Sequence, residues 1–344
     1  MKAFLYSMLL LSTLLLACSK TDLSKLNETI YVRHNGADMP AYIHGNGSEK
    51  VFLLIVHGAS SFGLAFRTPE FQSELESRYA VVYWDQRDQS MSQSNQIKEL
   101  SVAERAEDIG ALISVIKAKY GQDIKLFLFG HSWGGTLGMT YLLQAGAQEQ
   151  LKGWIMANGA YDFTITLDER YQMLLRISED ALTNPNPGSS EQWNTLNTDL
   201  KKLDQASIQD DPDLLRPFVV ETLSLLLKDG TTLPPDLGDL YRSAIIENNP
   251  LYWWLNDRRN KPYLEARDAG YALRERLAEI TLPSLFLWGH FDLSVPPLLG
   301  EIAFAEQASI DKRLVILEQS EHLPYLSEPE LFLEEVVAFV ERLK

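Results

Sequence analysis

The sequence predicts an α/β fold: a mostly parallel, doubly wound sheet with an inserted helical segment. Continuous apolar runs of five or six residues recur along the chain, and amphipathic helical patterns separate most of them. Runs that are apolar on both faces are typical of strands buried between two layers of helices. Alternation of such strands with helices is typical of a doubly wound sheet. The predicted strands of this set are 51–56, 80–84, 125–129, 153–157, 283–288 and 313–317.

A hairpin precedes these buried strands. Residues 28–33 alternate between apolar and polar side chains, and residues 39–44 can pair with them across the turn signal Asn35-Gly36. The helices that pack on the sheet are predicted from apolar residues at helical spacing. They are expected at 102–120, 134–143 and 328–343.

The strand–helix alternation stops between residues 161 and 275. This stretch is helical in pattern, rich in acidic and aromatic residues, and interrupted by two proline-containing segments. A chain of 344 residues suits two ordinary domains or one large fold with an insertion. We predict the second arrangement, with a core formed by 28–160 and 276–344 and a helical cap formed by 161–275.

Composition excludes several classes of protein. The chain carries 31 Lys and Arg against 47 Asp and Glu, a net charge of −16, which excludes a nucleic-acid-binding protein because phosphates would be repelled. Its 45% apolar content excludes a disordered chain. A single cysteine excludes an internal disulfide and a cysteine-based zinc site.

The first residues have the pattern of an export signal. Lys2 precedes an uncharged, apolar run over 3–17, which is shorter than the roughly 20 residues that span a bilayer. The segment Leu15-Leu16-Ala17-Cys18 resembles the bacterial lipobox, in which the cysteine becomes the lipidated first residue. We therefore predict a signal peptide at 1–17, acyl chains such as palmitate on Cys18, and a tether at 18–27.

This lipobox resemblance implies a protein exported from the cytoplasm and anchored to a bacterial membrane through Cys18. Two or more acyl chains give stable attachment, whereas one does not. Ser19 favours the outer over the inner membrane, by analogy with sorting in enteric bacteria. The alternative is a plain secretory peptide that happens to end near a cysteine.

Residues 130–134 read Gly-His-Ser-Trp-Gly and match the G-x-S-x-G pattern. An apolar strand precedes the pattern and a helix-compatible run follows it, which is the context of a nucleophile elbow. In such an elbow a sharp turn lifts the serine hydroxyl above the sheet, and small neighbours prevent clashes. Ser132 is the candidate nucleophile; a structural serine at a tight turn is the alternative.

A serine nucleophile needs a base, and the base needs an acid that orients it. Asp292 follows the predicted strand 283–288 and His322 follows 313–317, so both lie at the carboxyl edge of the sheet with Ser132. His290 is the one competitor for the role of base. The chain has six histidines; those expected in other roles are His34, His44, His57 and His131.

Acyl transfer also needs donors for the developing oxyanion. The backbone N–H of Trp133, directly after the nucleophile, is one candidate, and the N–H of Ala59, in the loop after strand 51–56, is the other. We expect the His57 ring to brace this loop rather than to contact substrate.

These motifs together resemble the α/β-hydrolase superfamily and, within it, the proline iminopeptidase branch. The resemblance covers most of residues 50–344 and rests on five segments. It implies an inserted helical cap, Ser–Asp–His catalysis by Ser132, Asp292 and His322, no cofactor, and removal of an N-terminal residue, often proline, from short peptides. The segments are His57-Gly58, 84–87 (Trp-Asp-Gln-Arg), 130–135, 289–292 and His322.

The chain departs from the branch in two loops. Residues 57–61 read His-Gly-Ala-Ser-Ser where the branch has His-Gly-Gly-Pro-Gly, and Asp88 and Ser90 stand where it has glycines. An esterase or another small-molecule hydrolase, including one that cleaves carbon–carbon bonds, is therefore the alternative on the same scaffold. An inactive binding lipoprotein is the alternative of another class, and it would predict an incomplete triad. The oligomeric state stays open.

Overall fold

The computed structural model describes residues 22–59, 61–95, 100–238, 256 and 272–344. The predicted signal peptide and the lipidation site Cys18 lie outside these residues. Within the described ranges, no helix is long and apolar enough to cross a membrane.

The described strands form one sheet in the order β1-β2-β4-β3-β6-β7-β8-β9, and β5 pairs with β2 beside this path. The pairings β4–β3, β3–β6, β6–β7, β7–β8 and β8–β9 are parallel. Strand β2 pairs antiparallel with β1, β4 and β5. The prediction of a mostly parallel sheet is confirmed. The strands are β1 Leu26–His34, β2 Ala37–Gly45, β3 Val51–Val56, β4 Ala80–Trp84, β5 Gln93–Ser94, β6 Lys125–His131, β7 Gly153–Ala157, β8 Ser284–Gly289 and β9 Lys312–Leu317.

The first strand begins earlier than the sequence predicted. Leu23–Lys25 form a single 3₁₀ turn, and β1 starts at Leu26 rather than at residue 28. The side chain of Leu26 is buried and the residue pairs with Gly45 across the hairpin. The tether expected at 18–27 is therefore wrong for its last residues, because one buried apolar side chain among polar neighbours was enough to extend the strand.

Helices flank the sheet and make up most of residues 163–228, between β7 and β8. The helix over residues 102–120 begins with a capping box, in which Ser101 and Glu104 satisfy each other's backbone N–H groups. The helices are α1 Pro69–Phe71, α2 Val102–Tyr120, α3 Trp133–Leu142, α4 Phe163–Thr183, α5 Ser190–Leu200, α6 Gln205–Asp210, α7 Arg216–Lys228, α8 Pro297–Glu306, α9 Pro324–Ser327 and α10 Pro329–Leu343.

The core lies on both faces of the sheet. Alternate residues of β3 face opposite sides, so that Phe52 and Leu54 join one apolar cluster with α2 and α3. Leu53 and Ile55 join the other cluster with α10. A third cluster lies mainly within the helices α4 to α7, where it includes Leu174, and it also takes in Leu293 from the loop after β8. We call residues 163–238 the insertion; it follows β7 at the carboxyl edge of the sheet, and its apolar cluster extends to the loop after β8.

Candidate active site

Ser132 occupies a sharp turn between β6 and α3. Its φ of 54° and ψ of −120° lie outside the regions that non-glycine residues ordinarily adopt, and such strain is concentrated at functional sites. The turn requires small neighbours. A Cβ on Gly134 would lie 1.9 Å from the carbonyl oxygen of Val56, and one on Gly130 would lie 2.5 Å from the carbonyl oxygen of Gly134. The glycines thus allow the backbone approach that exposes the serine.

Asp292 and His322 are joined directly. Asp292 lies in the loop after β8 and His322 in the loop after β9, and Nδ1 of His322 is 2.8 Å from Oδ2 of the Asp292 carboxylate. Asp292 is fully buried. Its Oδ1 accepts backbone hydrogen bonds from Ser294 and Val295 at 2.8 and 2.9 Å. These donors fix the position of the Asp292 carboxylate, which itself has no solvent contact.

Asn158 supplies a further donor to the same carboxylate. It follows β7 directly, is fully buried, and donates from Nδ2 to Oδ2 of Asp292 at 2.5 Å. Its φ of 46° is left-handed, a conformation that asparagine tolerates better than most residues. Three neighbouring strands, β7, β8 and β9, therefore each contribute one polar side chain to this network.

His131 connects the nucleophile strand to the loop of His322. The ring nitrogen Nε2 lies 2.9 Å from the backbone carbonyl oxygen of His322. Because a carbonyl only accepts, Nε2 must carry the proton. Burial, and then the proximity of His322, lowers the pKa of His131 to about 3, so the ring is neutral at physiological pH. His131 thereby links the residue next to Ser132 to the backbone of His322.

The hydrogen bonds define what the site can do chemically. With Nδ1–H donated to Asp292, the neutral ring of His322 presents an unprotonated Nε2 that can accept a proton. Within the described part of the chain, Oγ of Ser132 makes no hydrogen bond. Catalytic hydrogen bonds are often long without substrate and tighten in the complex. The acid–base pair is formed, and the half-buried Ser132 lies at the same edge of the sheet.

A cavity of about 230 Å³ opens at Ser132. The two predicted oxyanion donors, Ala59 and Trp133, both line it. Trp133 is the first residue of α3, and the N-terminus of a helix carries partial positive charge that favours an anion. The other lining residues come from the segment after β7, from helices α3 and α4, and from the loop after Asp292. They are Thr136, Ala160, Tyr161, Asp162, Phe163, Thr166, Arg170, Ser294 and Val295.

The insertion contacts both loops that carry the acid–base pair. Arg170 on α4 donates from Nε to the carbonyl oxygen of Leu293 at 2.7 Å and from Nη2 to that of Ser294 at 2.8 Å. After α7, Thr232 donates to the side chain of Glu321 at 3.2 Å, the residue before His322. Burial raises the pKa of Glu321. The insertion is therefore tied to the residues on either side of the site.

The predicted site residues Ser132, Asp292, His322, Ala59 and Trp133 all lie at the carboxyl edge of the sheet. The competing histidine, His290, follows β8 at the same edge but pairs with another residue: it is half-exposed, and its Nδ1 lies 3.1 Å from a carboxylate oxygen of Glu318. Sequence reasoning missed Asn158 and placed His131 only among the histidines with other roles. For Asn158 a signal was present, since a polar residue directly after a buried strand marks this edge.

Comparison with known proteins places the chain in a family. Residues 47–330 match the family described as serine aminopeptidase S33. A curated relative, the probable aminopeptidase YbaC of Bacillus subtilis, is 25% identical over 302 residues, which cover 84% of this chain and 89% of that protein.

Solved structures of esterases share the fold. The esterase from Thermogutta terrifontis, solved with malate bound, has a TM-score of 0.56 at 17% identity and covers 92% of this chain and 99% of its own. The esterase RhEst1 from Rhodococcus sp. ECU1013 has a TM-score of 0.56 at 16% identity, with the same coverage. At these identities the likeness shows the fold alone, and it confirms the predicted α/β-hydrolase fold. The chain is an α/β-hydrolase enzyme and belongs to the serine aminopeptidase S33 family.

Proposed function

We propose that the protein is a serine aminopeptidase that removes an N-terminal residue, proline included, from short peptides. Ser132 Oγ attacks the carbonyl carbon of the scissile amide while Nε2 of His322 takes the hydroxyl proton. Asp292 orients His322 and stabilises the imidazolium. The N–H groups of Ala59 and Trp133 bind the oxyanion. His322 then returns the proton to the departing amine, and water, activated by His322, hydrolyses the acyl-enzyme.

The observation that supports the aminopeptidase assignment most directly is the position of the Asp162 carboxylate in the cavity. It lines the cavity at Ser132 and is 7% exposed. Its Oδ1 accepts the backbone N–H of Ile165 at 3.1 Å, at the start of α4. Within the described residues, Oδ2 has no hydrogen-bond partner. A carboxylate oxygen that faces the cavity and has no such partner can accept a hydrogen bond from the ammonium group of a peptide N-terminus.

The size of the cavity supports a small acyl group. Its volume of about 230 Å³ is below the roughly 300–1,000 Å³ of pockets that hold drug-sized ligands. One residue the size of proline or alanine suits this space. The remainder of the peptide would leave the cavity as the amine product.

Two assays test the proposal. A fluorophosphonate probe should label the wild type and leave Ser132→Ala unlabelled; a folded, unlabelled wild type would contradict a serine nucleophile. Prolyl- and alanyl-arylamides should then be cleaved with higher kcat/KM than butyryl or hexanoyl amides, with Ser132→Ala as the inactive control. Rapid cleavage of short-chain esters with no cleavage of aminoacyl-arylamides would assign an esterase instead.

For the location of the enzyme we propose a lipid anchor at Cys18. The support is the lipobox resemblance of residues 15–18 and the position of the sole cysteine of the chain. Expression in a bacterium grown with labelled palmitate should mark the wild type and leave Cys18→Ser unmarked. Equal labelling of the two proteins would contradict the anchor.

A further inference from the structure

The imidazole of His57 lies between the backbone N–H of Gln86 and the peptide bond that joins Gly58 to Ala59. On one side, Nδ1 of His57 is 2.7 Å from the carbonyl oxygen of Gly58. On the other side, the backbone N–H of Gln86 donates to Nε2 of His57 at 3.3 Å. The side-chain amide of Gln86 also donates to the backbone carbonyl oxygen of His57, at 2.5 Å. Gln86 therefore holds both the ring and the backbone of His57.

These contacts fix the tautomer of the ring. A carbonyl oxygen only accepts hydrogen bonds, so Nδ1 of His57 must carry the proton that points to Gly58. Nε2 is then unprotonated, as its role of acceptor from Gln86 N–H requires. The ring is fully buried, and burial lowers the pKa of His57 to about 4. Neutral His57 can make both contacts, whereas the doubly protonated ring would set its Nε2–H against the Gln86 N–H.

The orientation of the Gln86 side chain is also fixed. Gln86 is 2% exposed, and its Oε1 accepts a hydrogen bond from Nε2 of Gln89 at 3.1 Å. Because the oxygen is used in this way, the amide nitrogen must face His57. Gln86 follows Asp85, whose Oδ1 accepts the backbone N–H of Gly63 at 2.8 Å, so the segment after β4 is anchored to both sides of the loop that follows β3.

Because a peptide group is planar, the orientation of the Gly58 carbonyl also determines the orientation of the Ala59 N–H. The carbonyl of Gly58 and the N–H of Ala59 belong to one trans peptide and point in opposite directions. A hydrogen bond that fixes the Gly58 oxygen therefore fixes the direction of the Ala59 N–H. We infer that Gln86 and His57 act as a positioning pair that aims the Ala59 N–H at the substrate oxyanion. The inference rests on the proposed function, since it needs Ala59 to be an oxyanion donor.

The test uses a substrate that needs no recognition of an amine, p-nitrophenyl acetate. In His57→Leu the donor to Gly58 is lost, and kcat should fall by about 10²-fold, the lower end of the cost of losing one oxyanion donor. KM should stay within about threefold, because the donor acts in the transition state rather than in ground-state binding. The affinity for phenylboronic acid, whose serine adduct carries an oxyanion, should fall with kcat.

His57→Asn separates positioning from packing. The Nδ2 of asparagine stands near the place of Nδ1 and can donate to Gly58. His57→Asn should therefore retain at least about tenfold more kcat than His57→Leu, although leucine matches the volume of histidine more closely. If His57→Leu does not fold, Gln86→Leu is the second variant: it removes the side-chain donor to the His57 backbone carbonyl and should also lower kcat. His44→Leu, at a partly buried histidine on β2, should leave kcat unchanged.

Two outcomes overturn the inference. One is a folded His57→Leu with wild-type kcat; the other is equal losses in His57→Leu and His57→Asn with unchanged boronate affinity. Neither outcome depends on amine recognition, so the proposed substrate class can be wrong while the positioning role of His57 and Gln86 holds. A wild type that neither turns over p-nitrophenyl acetate nor is labelled on Ser132 would instead overturn the proposed function.

Discussion

Asn158 donates a hydrogen bond to the very carboxylate oxygen of Asp292 that faces the His322 ring. The Nδ2–Oδ2 distance is 2.5 Å and both side chains are fully buried. An oxygen that receives two donors is held at a defined position, so the direction of His322 depends on Asn158 as well as on Asp292. Asn158 is thus a positioning residue at the end of β7.

Replacement of Asn158 should lower kcat. Asn158→Gly keeps a residue that tolerates the φ of 46° but removes the donor, and hydrogen bonds to charged groups contribute about 1.5–3 kcal/mol. We expect a loss in kcat of about tenfold or more with KM little changed. Asn158→Asp places a second carboxylate against Asp292 and should cost more, because like charges repel. Steady-state kinetics on an aminoacyl-arylamide measures kcat and KM for both variants. Equal activity of Asn158→Asp and Asn158→Gly would contradict the positioning role of Asn158.

Arg170 should couple the insertion to the acid loop. Arg170→Met removes the hydrogen bonds to the carbonyl oxygens of Leu293 and Ser294 while keeping much of the aliphatic stem. We expect lower kcat and a loss of about 1–3 kcal/mol in the free energy of unfolding. Arg176→Met is the matched control, because Arg176 lies on the same helix and pairs with Glu169 near the surface. Urea unfolding should show a loss below about 1 kcal/mol for that control; equal losses in both variants would contradict the coupling.

Acid should destabilise the folded protein below about pH 6.5. Burial lowers the pKa of His44 and His57 to about 4 and that of His131 to about 3, from an ordinary value of 6.5. The unfolded chain therefore binds protons first as pH falls, and stability present above pH 6.5 is lost towards pH 4. Asp85 opposes this, since burial raises its pKa to about 6 and the folded state gains its proton first.

The histidines outweigh Asp85, and we expect a net loss of about 4 kcal/mol between pH 7 and pH 5. Urea unfolding at the two pH values measures it. His44→Phe removes one of the three groups at a distance from the site and should make the loss smaller. A urea midpoint at pH 5 that equals or exceeds the midpoint at pH 7 would contradict the predicted loss of stability.

Removal of the Asp162 charge should weaken recognition of a free amine. In Asp162→Asn the cavity loses its carboxylate, and kcat/KM for alanyl-arylamide should fall by about 10-fold or more. Turnover of p-nitrophenyl acetate should change little. Asp168→Asn is the control, because Asp168 lies on the same helix but binds Gln205 and Gln209 instead. Equal effects of Asp162→Asn on both substrates would contradict a role in amine recognition.

The sequence predicted the sheet well because its central strands are buried on both faces. The apolar runs at 51–56, 80–84 and 153–157 coincide with β3, β4 and β7, since such runs have few alternative structures. The start of β1 was missed because Leu26 stands among polar residues and is buried only by the hairpin partner and the core.

The catalytic residue types were recognisable because each follows a predicted strand at the same edge of the sheet. Their supporting contacts were not, since they join residues far apart in the chain. Gln86 meets His57 across 29 positions, and His131 meets His322 across 191. Nothing in the local pattern around these residues specifies the partner; the topology of the sheet does.

The measurement that tests the central claim most directly compares prolyl-arylamide with its N-acetylated form. Both present the same scissile bond, and only the first carries the ammonium group that Asp162 would bind. We predict that the wild type cleaves the free form with kcat/KM at least about 10²-fold above that for the acetylated form, and that Ser132→Ala cleaves neither. Equal or faster cleavage of the acetylated form would contradict an aminopeptidase.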